Sequence, residues 1–301
     1  RRKYLSGFFY GVGFHKLSTE IFGAREGLVC VGFSWIVLSL LGCLPFVISG
    51  NIPVFIDAFF ETVSGLTTTG ASILTDVEAL DKCMLFWRSF THWIGGMGIL
   101  VLVTAVVPNI ADRSLNILKA EMPGPTVGKL VPRSRDTAKI LYYIYFGMTV
   151  ILTLLLIAGG MPVFDSIVHA FGTAGTGGFG IKADSIASYS PYLQWILTAG
   201  MIVFAINFNL YYLILVRKFR AILGSDELWF FFALVALCVG GITVNILPLY
   251  SDIGEALRHA AFQSASIVST TGYSTADFNL WPNFSKSLIL LLMVVGGCAG
   301  S

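Results

Sequence analysis

Apolar residues along this chain come in long unbroken blocks, not in the alternating or amphipathic spacing of a soluble fold. Segments 28–48, 83–107, 138–158, 192–216, 228–249 and 284–297 reach or approach the about 20 residues that a helix needs to cross a bilayer. Several carry only one or two ionisable side chains, so the pattern predicts membrane-crossing helices. Between them lie three shorter apolar stretches, each ending in small residues: Thr67, Thr68, Thr69 and Gly70, then Ala174, Gly175, Thr176, Gly177 and Gly178, then Ser269, Thr270, Thr271 and Gly272. These stretches are too short to cross. They predict half-helices that run into turns.

The three stretches share one register. Asp57 stands thirteen residues before Gly70, and Asp165 stands thirteen before Gly178. His259 holds that place before Gly272, with Asp252 and Glu255 just upstream. Each copy reads as a crossing helix, a half-helix of about 12 residues (roughly three turns), a turn ending in Gly and a second crossing helix. The units are 28–107, 138–216 and 228–301, joined by loops 108–137 and 217–227 and preceded by a cytoplasmic or interfacial segment, 1–27. A spacing of about 100 residues is too long for a solenoid repeat and suits modules arranged around a shared site. The fold class expected is an all-α membrane protein of repeated helix–pore loop–helix units, three of four present, around a pseudo-fourfold ion pore. The fourth copy is expected beyond Ser301, and the Arg1-Arg2 start without Met predicts an earlier natural beginning.

Composition supports the membrane reading. The 301 residues are 55% hydrophobic and 12% charged, with a mean hydropathy of +0.80, against about 25% charged in a soluble domain. The net charge is +2, unevenly placed: segments 1–27, 108–139 and 217–227 hold fourteen Lys or Arg against seven acids. Basic loops face the cytoplasm, so the acidic segments 50–82, 161–190 and 250–283 face outward. Cys30, Cys43, Cys83, Cys238 and Cys298 are an odd set without paired spacing, which argues against a disulfide frame or zinc site. No cleavable signal peptide is visible. No catalytic triad, metal cluster or paired-carboxylate site stands out, so an enzyme is not expected, and nucleic-acid binding is not supported.

The turns point to cations. Irregular backbone at membrane depth is tolerated only where it is buried in protein or lines water. Carbonyls freed from helical partners can replace an ion's hydration shell. Thr adds a hydroxyl, Gly admits unusual φ values, and each half-helix aims its partly negative C-terminus at its turn. The outer acids Asp57, Asp76, Glu78, Asp81, Asp165, Asp184, Asp252 and Asp277 concentrate cations at the mouth. The main coordinating candidates are Thr68, Thr69, Thr176, Gly177, Thr270 and Thr271, flanked by Leu66, Thr67, Ala174, Gly175, Val268 and Ser269. Gly70, Gly178 and Gly272 shape the backbone.

In these residues the chain resembles the Trk/Ktr/HKT superfamily of potassium transporters, and TTTGAS, GTGGFG and STTGYST are most similar to its TrkH-type members. The resemblance covers residues 28–301. It implies four helix–pore–helix repeats in one polypeptide, with one filter glycine each, at Gly70, Gly178 and Gly272. It implies uptake of K+ (and Rb+) in a bacterial inner membrane, with the pore loops facing outward. No tightly bound cofactor is implied; K+ is the cargo. The implied partners are membrane lipid, a cytosolic nucleotide-binding regulatory subunit of the TrkA type, and a second copy in a homodimer. Gly296, Gly297, Cys298, Ala299, Gly300 and Ser301 match the start of a Gly-rich intramembrane gating loop that interrupts the second helix of the third repeat. The alternative from another class is a secondary transporter of a small organic solute, with a midplane site built from the broken helices.

Other residues carry plainer expectations. Gly95, Gly96 and Gly98 read as tight helix packing. Gly175–Gly180 satisfies G-x-G-x-x-G, but a dinucleotide site needs a βαβ unit. Arg88 reads as snorkelling or paired, His92 as a packed helix residue, and Asn207 and Asn209 as interhelical glue. Glu61, His169 and Gln263 share one aligned position, open between anchoring the turns from behind and facing outward. Residues 16–25 suggest a short interfacial helix. The basic loop 108–139 reads equally as a solvated loop and as a docking surface.

Overall fold

The computed structural model of the chain describes residues 24–98 and 134–298, and among these there are helices and turns but no strand. The interfacial segment up to residue 23, most of the basic loop and the loop residues Ala299, Gly300 and Ser301 lie outside the described residues.

Among the described residues twelve α-helices follow one another. Helix α1 (Ala24–Gly42) is long, α2 (Leu44–Ser49) continues it across a kink at Cys43, and α3 (Phe55–Leu66) is short. After a turn comes α4 (Lys82–Gly96). The order recurs with α5 (Ser134–Ala158), α6 (Val163–Ala174) and α7 (Pro191–Phe204), which is followed by α8 (Phe208–Leu215) and the five-residue α9 (Phe219–Leu223). It recurs again with α10 (Asp226–Ile246), α11 (Ile253–Val268) and α12 (Asn283–Val295). Thus long helix, short helix, turn and helix appear three times.

Local chemistry sets these boundaries. Pro45 stands in the first turn of α2, where its missing N–H costs nothing, and Gly50 ends that helix at φ 76. Ser190 caps α7 ahead of Pro191, and Ser225 caps α10 ahead of Asp226 and Glu227, both favourable at a helix N-terminus. Asp252 caps α11 through the N–H groups of Gly254 and Glu255. That cap starts α11 a full turn earlier than its two counterparts, so Asp252 and Glu255 take the place of the acid missing at His259.

Each short helix is the hub of its neighbourhood. Helix α3 packs on α1 and α4, α6 on α5 and α7, and α11 on α10 and α12. In addition α6 packs on α4, and α11 on α7, so each later short helix also touches the second helix of the preceding unit. The outer surface is apolar: on α10, Leu237 and Val244 are 74% and 76% exposed, while Ile242 is fully buried. Such a face needs a hydrocarbon solvent. Among the described residues three helices are long and apolar enough to cross a membrane, Val31–Ser49, Lys139–Ala158 and Asp226–Leu249, and a fourth if the bent pair Pro191–Phe204 and Phe208–Leu215 is one span.

Two predicted spans differ from expectation. Segment 192–216 is not one rod: α7 and α8 meet at 87°. Asn207 accounts for the break, because its side chain accepts from Asn209 N–H at 2.9 Å and caps α8. It is a helix cap and not interhelical glue. In segment 83–107 helix α4 ends at Gly96, with Gly98 at φ 80, and residues 99–107 lie outside the described residues.

Candidate ion-conducting site

The three turns are built alike, residue for residue. After α3, Thr68 N–H donates to Gly65 O at 3.1 Å and Thr69 N–H to Ser64 O at 2.9 Å. After α6, Thr176 N–H reaches Thr173 O at 3.1 Å and Gly177 N–H reaches Gly172 O at 3.0 Å. After α11, Thr270 N–H reaches Ile267 O at 3.0 Å and Thr271 N–H reaches Ser266 O at 2.9 Å. Each pair is a Schellman ending, which requires a left-handed residue just past the helix. That residue is usually Gly. Here it is Thr68, Thr176 and Thr270, at φ 54, 51 and 61. Two residues on, Gly70, Gly178 and Gly272 are left-handed again, at φ 75, 74 and 88.

This geometry frees a row of acceptors. The Schellman bonds occupy the carbonyls inside each helix end and leave the next ones bare. Among the described residues, no hydrogen bond reaches the carbonyls of Thr67, Thr68 and Thr69, of Ala174, Gly175, Thr176 and Gly177, or of Val268, Thr270 and Thr271. Ser269 O accepts only the adjacent Thr270 hydroxyl, at 2.6 Å. Backbone carbonyls without a protein partner are uncommon in proteins, and the three rows lie at three helix C-termini, where the helix dipole is partly negative. The Leu66 carbonyl is the exception, because it lies against the Cα of Gly95 on α4.

The turns also meet. A Cβ on Gly70 would collide with Gly177 O, and a Cβ on Gly178 would collide with Thr271 O. The glycine of each turn therefore lies on the carbonyl preceding the glycine of the next. At Gly272 the series stops: among the described residues nothing comes within 4 Å of such a Cβ. The backs of the turns show the same direction. His92 and Gly96 of α4 pack against Gly175 and Gly177 behind turn two, and Ala205 at the end of α7 packs with Val268 at the base of turn three. Thr67 and Thr69 of turn one are exposed, whereas their counterparts Ser269 and Thr271 are 4% and 1% exposed. In both pairs the hydroxyls bond to each other, at 2.8 and 2.7 Å.

The position shared by Glu61, His169 and Gln263 faces inward in all three copies, at 1%, 0% and 2% exposure. Glu61 accepts from Ile73 N–H at 3.0 Å and from the Ser72 hydroxyl at 3.0 Å, just past Gly70. It pairs with Arg88 Nε at 2.5 Å. Arg88 is thus paired in the interior and does not snorkel. His169 Nδ1 lies 3.3 Å from the Tyr273 hydroxyl, which donates to Phe179 O at 3.2 Å. His92 stacks on Phe179 with ring centres 4.0 Å apart. Gly95 and Gly96 are packing glycines, as expected, but what they pack against is the turns. Sequence reasoning missed Arg88 and Tyr273 as bracing residues; a charge inside an apolar block was the available signal for Arg88. The G-x-G-x-x-G run Gly175–Gly180 follows helix α6 and not a strand, unlike a dinucleotide-binding motif.

The outer acids are mostly engaged locally. Asp81 accepts from Asn51 at 2.9 Å, Glu78 from Ala183 N–H at 3.0 Å, and Asp277 from Asn279 N–H at 2.9 Å. Asp165 accepts from the Tyr189 hydroxyl at 3.0 Å. Burial and that carboxylate push the Tyr189 phenol well up, so it stays a neutral donor. Asp81 and Glu78 thus fasten loops between the helices to one another, and Asp165 fastens the Tyr189 loop to α6.

At the opposite end of the second helices, α12 stops at Val295 and Gly296 turns the chain at φ 68. Cys298 N–H then donates to Ala205 O at 3.0 Å, in the break between α7 and α8. Gly296, Gly297 and Cys298 therefore form a non-helical segment docked on the break of the preceding unit.

Fold and apolar surface together define a membrane protein that is helical, with no strand, among the described residues. The chain belongs to the TrkH family of cation transport proteins, whose profile matches residues 11–301. It is 35% identical over 283 residues to the Trk system potassium uptake protein TrkH of Halomonas elongata, a match that takes in 92% of this chain and 58% of the relative. It is 37% identical to TrkH and 34% identical to TrkG of Escherichia coli K12, with 92% of this chain matched in each case. Among solved structures, the potassium transporter TrkH from Vibrio parahaemolyticus superposes with a TM-score of 0.80 at 33% identity, covering 95% of this chain and 59% of the other. The chain spans about 59% of the length of the curated relatives it matches.

Proposed function

We propose that this chain carries three units of a four-unit potassium uptake protein, passing K+ and Rb+ inward through the ring of Gly and Thr turns. The units are 28–107, 138–216 and 228–301, each a membrane helix, pore helix, filter turn and second helix around a pseudo-fourfold axis. The carrying observation is the head-to-tail packing of Gly70 on Gly177 and of Gly178 on Thr271, with Gly272 left open. Thr68, Thr69, Thr176, Gly177, Thr270 and Thr271 supply the ion ligands, mostly as backbone carbonyls that are otherwise bare. The relatives' name, Trk system potassium uptake protein, supports K+ as the cargo.

Under this reading the protein lies in a bacterial inner membrane with its turns toward the outside. Residues 296–301 are the gating loop beneath the filter, and the basic loop 108–137 docks a cytosolic nucleotide-binding regulatory subunit. The whole protein works as a homodimer and catalyses no covalent chemistry. Radioactive Rb+ uptake by the full-length protein in liposomes tests the reading. Uptake competed by K+ is the expected result; absence of flux with and without the regulatory subunit overturns it.

A further inference from the structure

The described residues hold one fully buried ion pair, Glu61–Arg88, and it sits between two turns. Glu61 grips the strand leaving turn one, through Ser72 and Ile73. Arg88 grips the strand leaving turn two: its Nη1 donates to Gly180 O at 3.1 Å, and its guanidinium lies 3.5 Å above the Phe179 ring. One fork thus spans both strands immediately beyond Gly70 and Gly178. Turns two and three are joined differently, by the neutral Tyr273 hydroxyl on Phe179 O and by Ile186 N–H on Ser274 O at 3.0 Å.

We propose that Arg88 is a positioning residue that fixes the spacing of turn one against turn two and thereby sets how well the filter distinguishes K+ from Na+. The proposal rests on the reading of the turns as a cation filter. Its physical basis is the contact of Gly70 with Gly177 O: no side chain stands between those turns, so their separation follows whatever holds the strands behind them. A guanidinium serves where a lysine does not, because its planar fork serves two acceptors in fixed geometry and stacks on an aromatic face. Glu61 neutralises the cation, so the pair presents no net charge to a passing ion. A buried pair is poor value for stability alone, since well-packed apolar residues of the same volume do as well or better. Its yield is a defined geometry.

The test compares Arg88→Lys with wild type in the full-length protein, reading the K+/Na+ preference of Rb+ uptake. Lysine keeps the charge on Glu61 and loses the fork to Gly180 and the stack on Phe179. A fall in preference of about tenfold, the scale of one charge-assisted hydrogen bond, with uptake retained, is the expected result. Ile242→Ala, a fully buried change on α10, serves as the stability control and should lower thermal stability while leaving preference intact. If Arg88→Lys does not reach the membrane, the double variant Glu61→Gln/Arg88→Gln, which strands no buried charge, carries the same comparison. Wild-type preference in a folded Arg88 variant overturns the positioning role, as does an equal loss in Ile242→Ala. A wild-type protein without cation uptake overturns the filter reading, and the positioning role falls with it.

Discussion

Thr176 holds a backbone conformation that a β-branched residue rarely adopts, and its equivalents Thr68 and Thr270 do the same. A left-handed L-residue costs about 1–2 kcal/mol, and such strain persists where the surroundings impose it for function. Thr176→Gly should therefore stabilise the protein by about 0.5–1 kcal/mol, the strain relieved less the added chain entropy of glycine, while lowering K+/Na+ preference. Thermal unfolding in detergent and Rb+ uptake with Na+ competition read the two effects, and a loss of stability would contradict the strain argument. Gly178→Ala places a methyl on Thr271 O, and Gly70→Ser places a side chain on Gly177 O. Both should weaken K+/Na+ preference, and unchanged preference in either would count against the filter assignment. The sequence pattern located every one of these turn residues through the thirteen-residue register. It did not show that threonine takes the left-handed place at each helix end, because composition assigns that task to glycine. Nor did it show that Arg88 reaches Gly180, ninety-two positions away; such a partner depends on how units pack and leaves no local periodicity.

At the scale of elements, apolar length predicted the long helices well and their interruptions poorly. Segment 192–216 is predominantly apolar, so its mean hydropathy does not mark the 87° bend; the local signs are Asn207, a good cap residue, and Asn209 close behind it. Replacing that cap by Asn207→Ala should cost about 1 kcal/mol, seen as a lowered unfolding temperature, and no change would mean that packing alone holds the bend. The break matters because Ala205 O accepts from Cys298 N–H. Two interrupted helices are thus fastened to each other beneath the turns. Cys298→Pro removes the donor and should raise Rb+ uptake in the absence of the regulatory subunit, as expected if this contact helps hold the loop closed. Unchanged or reduced uptake would remove the contact from the gating account.

At the scale of the whole molecule, the described residues leave two edges uncovered, one at turn three and one at turn one. Turn three ends at Gly272, where nothing among the described residues comes within 4 Å of an added Cβ, and turn one exposes Thr67 and Thr69, whose counterparts in turn three are covered. The packing rule seen twice, α6 on α4 and α11 on α7, extends in one way. A fourth short helix would pack on α12, its turn would place a carbonyl against Gly272, and its second helix would return to cover turn one. If the turns form the proposed filter, three of them without that closure would leave the ion path open to the side, where bare carbonyls compete poorly with water for a cation. Under that reading a polypeptide ending at residue 301 should insert into membranes yet give no K+-selective Rb+ uptake, whereas the full-length protein should give it. Supplying the remainder as a separate polypeptide should restore uptake, since the missing contacts are between units and need no continuous chain. Selective uptake by residues 1–301 alone would show that three turns suffice, and the arc would then have to close by another route.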